Sequence, residues 1–585
     1  MPRSAFIEYK VSDEESDKIF WQKKRQANIF LSQSKNPCGM NNTTFLGFDI
    51  ATRGLYAAQR GLTNVNHNID NINTPGYSRQ ALTQQASRPM LMTDGTGMLG
   101  TGTDVTGVIR VRDEYLDTKY RSESQYLGEW GVKDTLLEEM QSMYNEPSDS
   151  GFNKVLNDFY DNLQQLSVDP SSLSTRAAVK EKAIMVAKYF NSVAAHFEYL
   201  QNDVNNIIYA KVQEINSLSD QIAKLNQQIY NYEVTGNVAN DLRDQRGYLV
   251  DKLSGLINIQ AYEVVAGKLP NGRDDTRFVV TISGKAIVDH TMVSHITTAQ
   301  RETKLNYEDI ENLYDVGWAD GNKLTIRSGE LKGYMEIRDG NDELNGSPDY
   351  RGIPFYQRKM NEFVRVFART FNEGVIDIDG DGALDKVNGH VDGYKLNSVA
   401  GDPAAGIRFF TMKDENENLV DSATFMQGAG LVIDDPLTTD KNEYLDAMYS
   451  HITAKNFSIS KEIDEDPTNN IATSGSPDQL GNIENLRSIL GLRHNKYMFM
   501  EGGPEDYIET IISTMGVDAQ QAATNLGSQN IMTKQIDNRR QSISGVSIDE
   551  EMGNLVRYQH AYGAAAKMIQ TYAEILDILV NRLGL

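Results

Sequence analysis

One run of acidic residues in this chain has the spacing of a calcium-binding loop. Residues 377–385 read Asp-Ile-Asp-Gly-Asp-Gly-Ala-Leu-Asp, which places carboxylates at positions 1, 3, 5 and 9 of an EF-hand loop and glycine at position 6. Carboxylate oxygens at this spacing can surround Ca²⁺, and the glycine permits the sharp turn. Position 12 is Asn388 instead of the usual bidentate glutamate, so a solvated turn is the alternative. The candidate metal ligands are Asp377, Asp379, Asp381 and Asp385.

A second motif has the spacing of a dinucleotide-binding loop. Residues 95–100, Gly-Thr-Gly-Met-Leu-Gly, match the pattern GxGxxG. A nucleotide site of this kind needs a helix that begins at the glycines. The residues that follow, Val105–Ile109, are typical of a strand instead. We therefore expect a flexible loop here and no nucleotide site.

The remaining reactive residue types do not form a catalytic pattern. The eight histidines are scattered, none lies in an HExxH motif, and Cys38 is the only cysteine. A zinc site or a thiol nucleophile is therefore not indicated, and no GxSxG or P-loop sequence occurs. We expect a protein that is not an enzyme and that has no cofactor other than the calcium considered above.

The composition narrows the classes of partner. The chain has 585 residues and a net charge of −24, and a polyanionic surface repels nucleic acid and anionic lipid. No apolar run is long enough to span a membrane.

A single cysteine permits no intramolecular disulfide, and the first residues lack the apolar segment of a secretory signal. A chain of this length predicts three or four domains.

The first 39 residues differ from the rest of the chain. They carry two charge clusters and little periodicity, and they end just before Met40. We interpret residues 1–39 as a disordered leader or as an over-extended gene start, with Met40 as the true initiator.

Two segments near the ends of the chain have the heptad pattern of coiled-coil helices. The first pattern stops at Asn73-Thr74-Pro75-Gly76, where Pro-Gly suits the centre of a type II turn. The N-terminal seam is Phe48, Ala51, Leu55, Ala58, Leu62, Val65, Ile69 and Ile72. The C-terminal seam is Met552, Leu555, Gln559, Tyr562, Ala566, Ile569, Ala573, Leu576, Val580 and Leu583.

These seams need partners, because a buried Leu or Ile side chain contributes about 1.5–3 kcal/mol that an exposed one does not. The two end helices could pair within one chain, pair with other chains, or do both. Periodicity alone favours none of these alternatives.

Between the ends, helical and β-type patterns alternate, so the predicted fold class is α+β and multidomain. Long terminal helices form a coiled coil, a helical bundle domain follows, and β-rich domains lie outside. The predicted segments are a leader (1–39), the N-terminal helix and loop (40–110), a helical domain (111–258), a β-rich domain (259–335), a return helix (336–376), a Gly/Asp-rich mixed domain (377–480), the second part of the helical domain (481–541) and the C-terminal helix (542–585).

Both end segments resemble one family of proteins. Residues 68–80, Asn-Ile-Asp-Asn-Ile-Asn-Thr-Pro-Gly-Tyr-Ser-Arg-Gln, are similar to the N-terminal motif of flagellar rod, hook and hook-associated proteins. Residues 544–562 are similar to the closing motif of that family. Within the family, several shorter motifs resemble the subunits of the hook-filament junction: residues 214–216, 221–226, 239–246, 503–507 and 516–520, together with Gly329-Glu330-Leu331-Lys332-Gly333 before Arg338-Asp339.

The resemblance implies a non-enzymatic building block of the bacterial flagellum. Its paired terminal helices would form the inner tube, with the helical domain around them and the β-rich domains outside. Such chains begin near the position of Met40 and leave the cell unfolded by the flagellar type III route, to lie outside the cell at the hook-filament junction. The implied partners are other copies in a ring, the hook protein, a second junction protein or flagellin, and an export chaperone.

Two alternatives remain at this point. The first is another axial subunit, of the hook or the distal rod, which would share both end motifs. The second is a calcium-dependent adhesin or an enzyme domain displayed on a flagellar scaffold, for which residues 377–385 are the only support.

Overall fold

A computed structural model describes residues 43–91, 97–144, 151–270, 272, 274–376, 386–427, 441–496 and 498–581. The leader 1–39, Met40 and the loop 377–385 lie outside these residues. The chain divides into two compact units. Within the described residues the smaller unit contains 43–70, 81–109 and 547–581, and the larger unit contains 71–80 and 110–546.

Helices account for most of the described chain. They are α1 (Thr43–Asp70), α2 (Glu114–Met143), α3 (Phe152–Val168), α4 (Leu173–Val234), α5 (Asn240–Leu256), α6 (Glu330–Asp339), α7 (Ile353–Glu373), α8 (Ser422–Gln427), α9 (Lys441–Tyr449), α10 (Lys461–Glu465), α11 (Pro467–Asn470), α12 (Glu484–Leu492), α13 (Pro504–Ser544) and α14 (Ile548–Asn581).

The strands form small antiparallel sheets. They are β1 (Gln80–Ala86), β2 (Met90–Leu91), β3 (Met98–Leu99), β4 (Thr103–Arg110), β5 (Gln260–Lys268), β6 (Asp274–Ile282), β7 (Lys285–Asp289), β8 (Met292–Val293), β9 (Ile296–Gln300), β10 (Tyr314–Trp318), β11 (Val375–Ile376), β12 (Lys386–Val387), β13 (Phe410–Met412) and β14 (Phe457–Ile459). Strands β5 to β8 form one sheet in chain order, and β1–β4, β2–β3, β9–β10, β11–β12 and β13–β14 form pairs. The predicted α+β class with long terminal helices is confirmed.

The smaller unit consists of the two terminal helices and the β1–β4 hairpin. Helix α14 packs along α1, and Arg53 of α1 donates to Asp104 Oδ1 of β4 at 2.9 Å. The Val105–Ile109 segment that was predicted to be a strand lies within β4, with no helix directly after residues 97–100. The described part of the GxGxxG segment therefore lacks the helix N-terminus that a nucleotide site requires.

Helix α4 is the longest element of the larger unit. Its 62 residues span about 93 Å at the rise of an α-helix. The segment contains no glycine or proline, and it ends next to Gly236, whose φ of 92° suits a helix C-terminus. Helices α3, α5, α6 and α7 and strands β7 to β10 all pack against α4, so this helix organises the core.

A group of charged and polar side chains is buried beside α4. Arg338 of α6 is fully buried and donates to both oxygens of Asp339, at 2.9 and 2.6 Å. It also donates to Asn205 Oδ1 of α4 at 2.9 Å, while Arg301 lies 3.2 Å from Asp339 Oδ2. We call Asn205, Arg301, Arg338 and Asp339 the buried charge cluster. It joins α4, α6 and the segment that follows β9.

A buried histidine makes the stability of the larger unit depend on pH. His390 lies 2.7 Å from the Ile407 carbonyl through Nδ1, and its Nε2 accepts from the Ala472 N–H at 2.9 Å. This pairing requires the neutral ring with the proton on Nδ1. Burial lowers the pKa of His390 from 6.5 to about 4.

The unfolded chain therefore binds a proton below pH 6.5 that the folded chain excludes. The contribution of His390 to stability is complete above pH 6.5, and it falls by about 1.4 kcal/mol per pH unit between pH 6.5 and 4. We expect denaturant unfolding to show this loss and His390→Gln, which can keep both hydrogen bonds, to flatten it. Equal slopes for the two proteins would contradict the assignment.

Candidate assembly surface

Helices α1 and α14 fit together through glycines opposite tyrosines. A Cβ at Gly61 would lie 2.5 Å from Cδ1 of Tyr558, and a Cβ at Gly47 would overlap the hydroxyl of Tyr572. Each ring therefore occupies the space where a side chain on α1 would be. Because both pairs are fourteen residues apart, in opposite chain directions, the helices run antiparallel in one defined register.

The same register places Ala565 opposite Gly54, midway between the two rings. Ala565 is buried, and a Cβ at Gly54 would meet no atom within 4 Å. Along α14 a ring, a small residue and a ring thus follow at seven-residue spacing, with close contacts to α1 at the two rings and open space beside Gly54.

Most of the predicted N-terminal seam on α1 is at least partly covered. Leu55, Leu62 and Ile69 are half-buried, whereas Ile72 lies in the turn beyond the end of α1 and Phe48 is 37% exposed. The buried members of this seam are Ala51, Ala58 and Val65.

The predicted C-terminal seam is only partly turned towards α1. Leu555, Ile569 and Leu576 are half-buried, and Leu583 lies outside the described residues. The exposed members are Met552, Gln559, Tyr562, Ala566, Ala573 and Val580. Tyr558, Ala565 and Tyr572, which face α1 instead, each lie one residue before a predicted position.

The periodicity of apolar residues alone does not reveal this contact. The available signal was three glycines at seven-residue spacing, Gly47, Gly54 and Gly61, inside a helical pattern. Glycine weakens a helix by about 1 kcal/mol, so such a repeat indicates close approach of another element.

The helix pair leaves many large apolar side chains in contact with solvent. Each would gain about 1.5–3 kcal/mol on full burial, so the pair presents a surface suited to further association. The exposed residues are Phe45, Phe48, Tyr56, Ile548, Met552, Val556, Tyr562, Met568, Ile575, Ile578 and Val580. The role of the two seams in assembly stays a prediction.

The turn after α1 is held by the start of α5. Asp244 accepts from the backbone N–H and the hydroxyl of Ser78, both at 2.9 Å. Gln80 Nε2 donates to Asp241 Oδ1 at 2.6 Å, and Gly76 lies against the ring of Tyr248. The two family-like motifs at 68–80 and 239–246 are therefore in direct contact.

The geometry of this turn follows from its sequence. Gly76 has a φ of 79°, and the Tyr77 N–H donates to the Thr74 carbonyl at 3.2 Å. These are the features of a type II turn with Pro75 and Gly76 at its centre, as predicted.

The candidate calcium ligands Asp377, Asp379, Asp381 and Asp385 lie outside the described residues. On either side of them, β11 and β12 pair antiparallel, with Val375 opposite Val387. Among the described residues, no three His, Cys, Asp or Glu side chains are grouped as a metal site requires. Within the same residues, no helix is both long and apolar enough to cross a bilayer.

Comparison with known proteins gives consistent matches along the chain. A family model described as the flagellar hook-associated protein FlgK helical domain matches residues 137–381, and one described as the flagellar basal body rod FlgEFG protein C-terminal matches residues 538–583. Flagellar hook-associated protein 1 of Bacillus subtilis is 26% identical over 553 residues, which cover 93% of this chain and 99% of that protein.

The protein of the same name from Salmonella typhimurium is 26% identical over 564 residues, covering 91% of this chain and 98% of that protein. Among solved structures, the flagellar hook junction protein FlgK from Burkholderia pseudomallei matches with a TM-score of 0.51 and 14% identity. It covers 73% of this chain and 100% of that chain, and this likeness concerns the fold.

Proposed function

We propose, on the premise that this chain belongs to the flagellar hook-associated protein 1 family, that it is the structural subunit that joins the hook to the filament of the bacterial flagellum. The observation that carries this function is the match to hook-associated protein 1 over nearly the whole of both chains. The hook and distal-rod alternatives receive less support, because the family model that matches residues 137–381 is described as the helical domain of the hook-associated protein FlgK.

The mechanism is polymerisation through the terminal helices. Apolar side chains on the outside of the α1–α14 pair become buried against neighbouring copies, and that burial drives subunits to form a ring. The ring contacts the hook protein on one side and a second junction protein or flagellin on the other. The chain reaches this extracellular position by the flagellar export route, accompanied by an export chaperone, and performs no catalysis.

A deletion strain tests the function. Electron microscopy should show hooks without filaments, and flagellin should accumulate in the medium. Absent hooks would assign the chain to the rod or hook, and intact filaments would contradict a role at the junction.

A charge within the terminal pair should block assembly and leave the larger unit folded. Leu576→Asp places a carboxylate in the half-buried row of α14, where burying an unpaired charge is costly. We expect a non-motile strain and an unchanged unfolding transition of the larger unit. Leu480→Asp, at a position that is 60% exposed in the larger unit, is the matched control and should be motile.

We further propose that residues 377–385 bind calcium, on the basis of their carboxylate spacing. Calorimetric titration of the full chain should give heat with calcium that Asp379→Ala and Asp381→Ala abolish. Absence of heat at millimolar calcium would end this proposal and, with it, the calcium-dependent adhesin alternative.

A further inference from the structure

Asp244 is the centre of a group of charges in the larger unit. Its side chain is 4% exposed and accepts from Ser78, as described above, and from Arg110 Nη1 at 2.8 Å. Arg112 Nη1 is 3.4 Å from the same carboxylate oxygen. Residues on both sides of the β1–β4 hairpin are thus held by one carboxylate of α5.

The charges continue from Asp244 to the end of α13. Arg112 Nε donates to Asp117 Oδ2 at 2.5 Å, and Arg540 lies 3.6 Å from Asp117 and 2.6 Å from Asp251. Burial alone would lower the pKa of Arg112, but its hydrogen bond and charge contact with Asp117 raise that pKa above its ordinary value. The Arg112 guanidinium therefore carries a positive charge, as is required in a row of alternating carboxylates and guanidinium groups.

The segment that follows α1 and the segment that precedes α14 meet beside this cluster. The Arg79 N–H donates to the Ser544 carbonyl at 2.7 Å. Only residues 71–78 separate Arg79 from the end of α1, and only residues 545–547 separate Ser544 from the start of α14. Along the chain, the end of α1 and the start of α14 are therefore each separated by at most eight residues from one backbone hydrogen bond.

The terminal pair needs a fixed register. If one helix slipped by a single residue, Tyr558 would meet Leu62 or Arg60 in place of Gly61. Anchoring residues 78–80 and 540–544 limits how far the end of α1 and the start of α14 can slide past each other, and so supports the register that the Gly–Tyr contacts define.

We propose that Asp244 is a positioning residue for assembly, which fixes the segment that follows α1 and thereby helps to hold the register of the terminal helix pair. The proposal rests on the proposed function, because a correct register matters only if the pair is the polymerising element. The proposal also connects the two family-like motifs physically. Ser78 belongs to the motif at 68–80 and Asp244 to the motif at 239–246, and the two residues are hydrogen-bonded.

Disulfide trapping measures the register in the purified full-length chain. In a Cys38→Ser background, Gly54→Cys with Ala565→Cys should cross-link rapidly on oxidation. Gly54→Cys with Ala566→Cys, one residue out of register, should cross-link slowly. Asp244→Asn should slow the in-register cross-link by about tenfold, the loss that corresponds to weakened hydrogen bonds to a charged group.

A milder variant separates positioning from folding. Ser78→Ala removes one hydroxyl from Asp244, and Ser219→Ala removes an equally buried hydroxyl that donates to the Ile215 carbonyl at 2.8 Å. We expect similar losses of thermal stability, with cross-linking and incorporation at the hook tip reduced only for Ser78→Ala. An unchanged cross-linking rate in Ser78→Ala and Asp244→Asn would overturn the proposal. The deletion strain tests the junction function separately.

Discussion

Gly61→Ala destabilises the terminal helix pair by about 1–3 kcal/mol, the usual cost of overpacking a close contact. The added methyl group would lie 2.5 Å from the ring of Tyr558, so the helices must separate or the ring must leave its position. We expect a lower temperature for loss of the terminal-helix circular dichroism signal and little incorporation into flagella.

Gly54→Ala is the matched control, seven residues away in the same helix. Its methyl group meets no atom within 4 Å, and alanine favours a helix over glycine by about 1 kcal/mol. The same substitution should therefore stabilise the pair. In a Tyr558→Ala background the penalty of Gly61→Ala should disappear, and a persistent penalty would show that the ring is not its cause.

Asp339→Asn unfolds the larger unit at a much lower denaturant concentration, because it removes the carboxylate that pairs with the fully buried Arg338. Arg301 loses one of its carboxylate partners and keeps Asp315, at 2.8 Å. Arg338 is fully buried and pairs with both oxygens of Asp339, and Arg301 lies 3.2 Å away. Breaking a buried ion pair from one side costs about 3–5 kcal/mol.

An exposed ion pair in the same unit provides the comparison. Glu198 lies 2.8 Å from Lys455, with side chains 31% and 63% exposed. Glu198→Ala should cost at most about 1 kcal/mol, as exposed pairs usually do. Similar shifts of the unfolding midpoint for Asp339→Asn and Glu198→Ala would contradict the importance given to the buried cluster.

The terminal helices could be predicted from the sequence because their apolar residues repeat at a helical period over many turns. Which face of α14 meets α1 could not be predicted in the same way. Met552 and Ala566 have the residue types of a seam, yet they are exposed, and Tyr558 occupies the contact because Gly61 leaves space for its ring. That fit depends on two distant segments together, which periodicity within one segment does not contain.

The motifs indicated a resemblance to a family, but they did not indicate which residues are in contact. Nothing in the local pattern around Ser78 indicates a partner 166 residues away, and Arg338 has the appearance of an ordinary surface residue until its burial is known. Both contacts join segments that are distant along the chain, Ser78 with Asp244 of α5 and Arg338 with Asn205 of α4. The candidate calcium loop was identified by spacing alone, and its ligands lie outside the described residues.

The composition of α4 has a kinetic consequence for the folding of the chain. Bonds that precede proline isomerise over tens of seconds, whereas a helix elongates within about nanoseconds per residue. None of the 62 residues of α4 is a proline, and helix formation needs none of the long-range pairing that delays β-sheets. The scaffold against which most of the larger unit packs can therefore form first, so that the slower strands fold onto an element already in place.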